Sequence, residues 1–285
     1  MSIEAAPLEV DWTRLTGPQI RALTEQGQSH AMGALAVLPV GSLEQHGPHL
    51  PVITDTLTAW EISIRAARLA APAMPVLVLP GMWTGMSEHH LPFGGTITLN
   101  FAEFRGVISG VARSLRAIGF TRLLLVNGHG GNIDPLSVAA RELAVEYGLP
   151  IVACTPWYIA AEAIAGILEK QKGPAHACEA ETSVMLAMTP GTVRTDKLDE
   201  AVQQAPPAIM GRAGYSRFWS FSERAPITGT IGDPRAGTAE KGHRLLDAMA
   251  TALADGMADA KLWRTPDPVW TPRRGLGPTA GSALD

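Results

Sequence analysis

Glutamate, histidine and aspartate crowd one proline- and glycine-rich stretch of this chain, as Glu44, His46 and Asp55. Carboxylate and imidazole are the donor types that hold zinc or manganese. A second loop, N-G-H-G-G-N at 127–132, adds His129, and a third places His176 just before Glu179 and Glu181. Taken singly, each has an ordinary reading. A Glu-x-His pair in a loop is usually solvated, His129 could serve packing in a tight turn, and His176 and Glu181 could be plain helix-entry residues. Their coincidence is what points to metal. A dinuclear site needs about three protein ligands per ion, often with one carboxylate bridging ions ~3.5–4 Å apart. Glu44, His46, Asp55, His129 and one later glutamate meet that need if Asp55 bridges. Water held between such ions ionises near neutral pH and becomes a nucleophile. The 127–132 loop has a rival reading as an anion-binding nest at a helix start, which would make the chain a nucleotide-binding domain. It lacks both the GxGxxG fingerprint and the Lys-Ser/Thr of a P-loop.

These residues need elements to position them. Apolar runs at 35–40, 76–79, 122–126 and 150–154 read as buried strands. Between and around them the pattern predicts helices over 18–25, 57–69, 101–118, 134–147, 157–170, 179–188 and 238–263. Thr54 or Asp55 is the expected N-cap of the second, and Pro135 the first residue of the fourth. Strands alternating with helices predict a parallel sheet covered on both faces, a three-layer α/β/α sandwich. Parallel strands share a direction, so the loops carrying Glu44 and His129 leave the same edge, where open α/β sheets place their sites. The prediction is a single domain over 1–265 with a Pro/Gly-rich tail over 266–285. The segment 200–235 reads as irregular and pocket-edging; Phe218, Trp219 and Phe221 in it form either an aromatic lid or a covered surface.

Composition narrows the partners. With 46% hydrophobic and 18% charged residues, the 285-residue chain is globular rather than disordered. A formal charge of −4 gives no reason to expect nucleic acid or an anionic membrane. No apolar run is long enough to span a bilayer, and the N-terminus does not resemble a signal peptide. Two distant cysteines, Cys154 and Cys178, suggest a reduced, cytoplasmic setting.

The segments V-G-S-L-E-Q-H-G-P-H-L-P-V-I-T-D-T (40–56), L-L-L-V-N-G-H-G-G-N (123–132) and H-A-C-E-A-E-T-S (176–183) resemble the signature blocks of the creatininase (creatinine amidohydrolase) family. E-H-H-L-P-F-G-G-T-I-T-L (88–99) and G-D-P-R-A-G-T-A-E-K-G (232–242) resemble two further blocks. The resemblance implies a creatininase-like α/β/α fold and two divalent metal ions, Zn2+ first, with Mn2+ or Fe2+ as alternatives. It implies hydrolysis of a C–N amide bond, in a cyclic amide or formamide, by water activated on the metals. One ion would be held by Glu44, Asp55 and His129, and the other by His46, Asp55 and Glu181. In creatininase the last ligand lies two residues after the histidine of the 127–132 loop; here that place is Gly131, and Glu181 is the expected substitute. His176 or Glu179 would protonate the leaving nitrogen, and Ser87, His90, Trp157 and Gly130 would line the substrate pocket. Branches with the same metal site include a mycofactocin-type peptidase, a formylaminopyrimidine deformylase and a C–C hydrolase of a cyclic diketone. The resemblance also implies a homo-oligomer, a hexamer in creatininase, acting on a small molecule. Cys178 stands where glycine is commoner, either as a buried thiol or as a pocket thiol.

Overall fold

The computed structural model describes residues 8–203, 217–265 and 269. All four apolar runs become strands: β1 (Leu35–Val40), β2 (Val76–Val78), β3 (Arg122–Asn127) and β4 (Ile151–Cys154). They form one parallel sheet in the order β2-β1-β3-β4, with β1 and β3 in register from Leu35↔Arg122 to Val40↔Asn127. Strands buried on both faces carry nearly continuous apolar sequence, and these do.

The helices are α1 (Gly17–Ser29), α2 (Thr54–Ala70), α3 (Phe101–Ala117), α4 (Ile133–Tyr147), the short α5 (Pro156–Ile159) and α6 (Ala161–Ile167), α7 (Glu179–Met188), α8 (Phe221–Arg224) and α9 (Ala239–Ala258). Because side chains alternate along a strand, Leu35, Val37, Leu124 and Val126 pack with α2, α7 and α9 on one face. Ala36, Leu38, Leu123 and Leu125 pack with α3 and α4 on the other, which gives the expected three layers. Each fully buried leucine in these layers contributes roughly 1.5–3 kcal/mol. No helix among the described residues is long and apolar enough to cross a membrane.

The strand order fixes where a site can form. From β1 the chain turns through α2 to β2 on one side, whereas from β3 it turns through α4 to β4 on the other. The loops after β1 and β3 therefore diverge, and the crevice between them is the switch point of the sheet. A backbone bond from Gly128 N–H to the Val40 carbonyl (2.8 Å) ties the two strand ends together.

Three local expectations differ. Asp55 does not cap α2: Ile53 stands at the N-cap and Asp55 lies in the first turn, its carboxylate directed elsewhere. Pro135 is not the first residue of α4, which begins at Ile133 after a 3-10 turn over Gly130–Asn132. The helix expected over 157–170 breaks at Ala160 and ends at Ile167. Its next amides, Glu169 N–H and Lys170 N–H, donate instead to the Glu179 carboxylate (3.0 and 2.8 Å). The tail expected at 266–285 lies, except for residue 269, outside the described residues.

Candidate active site

The loop after β1 delivers Glu44 and His46, the first turn of α2 delivers Asp55, and the loop after β3 delivers His129. Glu181 projects from the first turn of α7. Two sets of three donors result, Glu44–Asp55–His129 and His46–Asp55–Glu181, each with ligand atoms within 4.8 Å of one another. Asp55 belongs to both. Its Oδ1 lies 3.1 Å from His46 Nε2 and its Oδ2 3.2 Å from His129 Nδ1. A third set joins Glu44 and His46 to His176.

The rings are held in a way that suits metal binding. His46 Nδ1 sits 3.1 Å from the Glu44 carbonyl, and His129 Nε2 3.2 Å from the Met86 carbonyl. A histidine that donates one N–H to a carbonyl presents its other nitrogen as a ligand. Ser42 donates to Glu44 Oε2 (2.7 Å) and pairs with Ser87, whose hydroxyl is 3.3 Å from His129 Nε2. Glu44 Oε1 and Asp55 Oδ2 are buried and find no hydrogen-bond partner among the described residues. Buried carboxylate oxygens without donors are costly unless a cation meets them. The donors therefore fit divalent metal.

Charge in the cluster follows from the same packing. Burial disfavours a charged His46, yet Asp55, Glu181 and Glu44 outweigh it and push its pKa up to about 10. His129 is likewise raised, burial being overcome by Glu44 and Asp55. Burial pushes Glu181 up to about 7. Burial, reinforced by His46, drives His176 well below the usual histidine range. Its Nε2 lies 2.8 Å from the Gln45 carbonyl, leaving Nδ1 toward Glu44 Oε1 at 3.7 Å. His176 is thus a neutral imidazole with its acceptor nitrogen aimed at the site. The next residue, Ala177, is left-handed (φ 52°), the only such non-glycine among the described residues. Its N–H donates to Glu181 Oε2 (2.5 Å), so the strained turn aims both side chains.

Two glycines make the close approach possible. A Cβ at Gly128 would strike the Asp55 carbonyl, and one at Gly131 would strike His129 Nε2, the Met86 carbonyl and the His89 ring. Gly131 therefore has no room for a ligand of its own, and Glu181 approaches the cluster from α7.

The other expected site residues divide. Trp157 and Gly130 line a cleft of about 700 Å³ above the cluster, together with His176, Glu181, Trp219 and Phe221. His90 also borders it but is buried, with Nε2 3.2 Å from Glu44 Oε1, Nδ1 2.9 Å from Gln45 Nε2 and its ring under Phe221. It braces Glu44. Ser87 is fully buried behind His129 and is not among the cleft residues. Phe221 packs on His90 and His176 while Phe218 stays 62% exposed at the cleft, so the aromatic trio edges the pocket. Cys178 is an ordinary buried thiol, pushed up to about 12 by burial.

Glu179 is not brought to the cluster. Its buried carboxylate accepts from Lys241 Nζ (2.7 Å) as well as the two loop amides, and Lys241 also donates to the Ala236 carbonyl. The residue closes the 168–178 loop and ties α7 to α9, which removes it from the expected role of proton donor. Substituting Lys241→Met leaves that carboxylate buried without its counter-charge. The expected cost is about 3 kcal/mol, read as a lower urea midpoint with unchanged slope. An unchanged midpoint would show that the pair does not hold the loop.

Gln45 was not anticipated. Its Nε2 reaches His90 Nδ1 and the Gly229 carbonyl (2.9 Å each), and its Oε1 accepts from Gly47 N–H. Its only sequence signal is its place between two ligand-type residues.

A parallel α/β sheet with this donor set at its switch point belongs to the metal-hydrolase class. The family model described as creatinine amidohydrolase matches residues 14–257, and the chain is a hydrolase of the creatininase family. It is 34% identical over 219 residues to the mycofactocin precursor peptide peptidase of Mycobacterium tuberculosis, covering 75% of this chain and 80% of that protein. It is 30% identical over 242 residues to the creatinine amidohydrolase of Pseudomonas putida, covering 78% and 88%. Among solved structures, a manganese form of creatininase superposes with TM-score 0.72 at 27% identity, covering 91% of this chain and 100% of that one. A zinc–zinc form of a creatininase variant superposes with TM-score 0.70 at the same identity and coverage.

Proposed function

We propose that this chain cleaves a C–N amide bond with two divalent ions, zinc in the first instance and manganese or iron as alternatives. One ion is assigned to Glu44, Asp55 and His129, the other to His46, Asp55 and Glu181. The observation that carries this reading is Asp55, whose two oxygens face the two ligand histidines from opposite sides. When bound, the ions would polarise the scissile carbonyl and lower the pKa of water. The protein's part is proton transfer and positioning. The neutral His176, held through the Gln45 carbonyl, takes the proton from the attacking water at Nδ1 and returns it to the leaving nitrogen. The Gln45 carbonyl orients His176, and His90 Nε2 stands 3.2 Å from Glu44 Oε1.

The cleft favours an acyclic amide or peptide over a compact ring. Its volume of about 700 Å³ suits a substrate of drug size. Similarity to a precursor-peptide peptidase supports the same choice. The proposal extends to a single catalytic unit over 1–265 and to a homo-oligomer in the cytoplasm; the free thiols Cys154 and Cys178 suit a reducing compartment.

Elemental analysis of protein purified without added metal, paired with assays on cyclic amides, formamides and short peptides, tests the reading. About two ions per chain and metal-dependent hydrolysis of an amide are expected. Absence of both after reconstitution would sink it.

A further inference from the structure

Two arginines line the cleft, Arg217 and Arg224. Arg217 is fully engaged. Its guanidinium stacks 3.2 Å from the Trp219 ring centroid, pairs with Glu223 at 3.2 Å and reaches the Phe218 carbonyl. Arg224 has no ion pair and no side-chain hydrogen bond among the described residues; its guanidinium lies 5.5 Å from the Phe221 ring centroid and is near enough to His89 to disfavour that ring's charged form.

Its backbone is nonetheless held, and the side chain is exposed to solvent at the cleft. Arg224 ends α8, whose start is closed by a capping box between Ser220 and Glu223. Phe221 on the same turn is buried and packs against His90 (4.1 Å between ring centroids) and His176 (4.6 Å). The guanidinium is thus carried on a short rigid turn on the His176 side of the cleft, where the proposed mechanism protonates the leaving nitrogen. The floor below is acidic, with Glu44, Asp55 and Glu181.

We infer that Arg224 anchors a free carboxylate on the leaving-group side of the substrate. The substrate class is then N-acyl amino acids and peptides cleaved near their C-terminus, rather than neutral cyclic amides. This rests on the amidohydrolase reading above and deepens it. An unengaged guanidinium binds a carboxylate through two parallel N–H···O bonds, a geometry that an uncharged amide does not match. An extended residue spans up to about 3.6 Å, so a leaving group of one or two residues bridges the gap that the Phe221 ring sets between His176 and Arg224. Phe218 and Tyr158, 62% and 61% exposed on the same cleft, offer apolar surface for its side chains.

The test compares N-formyl-L-phenylalanine with N-formyl-L-phenylalaninamide, by calorimetric binding to the full-length chain and by hydrolysis. The unaltered protein is expected to bind the carboxylate at least about 10-fold more tightly. Arg224→Gln removes that preference, Arg224→Lys restores part of it, and Arg217→Gln leaves it intact. Equal binding of the two probes by the unaltered protein, or an unchanged preference in Arg224→Gln, overturns the inference. Hydrolysis of neither probe with the preference intact counts against the amidohydrolase reading and leaves the anchor standing. Hydrolysis of both with no preference does the reverse.

Discussion

Replacing Asp55 with alanine is expected to lower amide hydrolysis on the order of 10³-fold or more and to leave fewer than two ions per chain. Among the described residues, no other side chain belongs to both the Glu44–Asp55–His129 and the His46–Asp55–Glu181 sets. On the proposed assignment, each ion would be left with two of its three protein ligands. Asp55→Asn separates this from a folding defect because it keeps the shape of the side chain. It should match the metal-stripped unaltered protein in thermal midpoint while losing metal and activity together. Elemental analysis beside a hydrolysis assay decides the matter: full activity with two ions in Asp55→Ala would dismiss the bridged site.

A different signature is expected of His176→Gln. Proton transfer by a positioned side chain is worth roughly 10²–10⁴-fold, so kcat should fall by that order while metal content stays at the level of the unaltered protein. The reasoning lies in the ring's two nitrogens. Nε2 is engaged by the Gln45 carbonyl, and Nδ1 is 3.7 Å from Glu44 Oε1, too long for a good hydrogen bond but open to the cleft. The pH–rate profile should also lose the limb that His176 contributes. If the variant loses metal in proportion to activity, His176 is a ligand, as its grouping with Glu44 and His46 allows, and the proton passes by another route.

The strands and the cluster of donor side chains were legible in the sequence because both leave local marks. A fully buried parallel strand needs an unbroken apolar run, and a ligand loop needs carboxylates and histidines among residues that bend the chain. Strand direction then placed Glu44 and His129 on one edge without further information. What escaped was decided by distant pairing. Glu179 and Glu181 are alternate residues of one motif, yet Lys241, more than fifty positions away, claims the first and leaves the second to the cluster. The break after Ile167 follows from the same event, since the amides that would have extended the helix bind the claimed carboxylate. The resemblance implies Ser87 and His90 as pocket lining; His90 does border the cleft, while Ser87 is buried behind His129. In the fold that loop turns inward and braces the ligands from behind. Asp55 looked like a cap because caps and ligands draw on the same residue types; the backbone at Ile53 decided between them.

The crowding at Gly131 bears on how such a site can change over generations. A chain with glycine here cannot recover a loop glutamate by one replacement, since the first carbon of any side chain would displace His129 before a carboxylate could reach the cluster. The Met86–His89 segment would have to retreat in the same step, and Glu181 would become redundant only afterwards. The two ways of completing the cluster are therefore separated by intermediates that lose a donor on the way, and lineages would hold to one or the other while the rest of the pocket drifts.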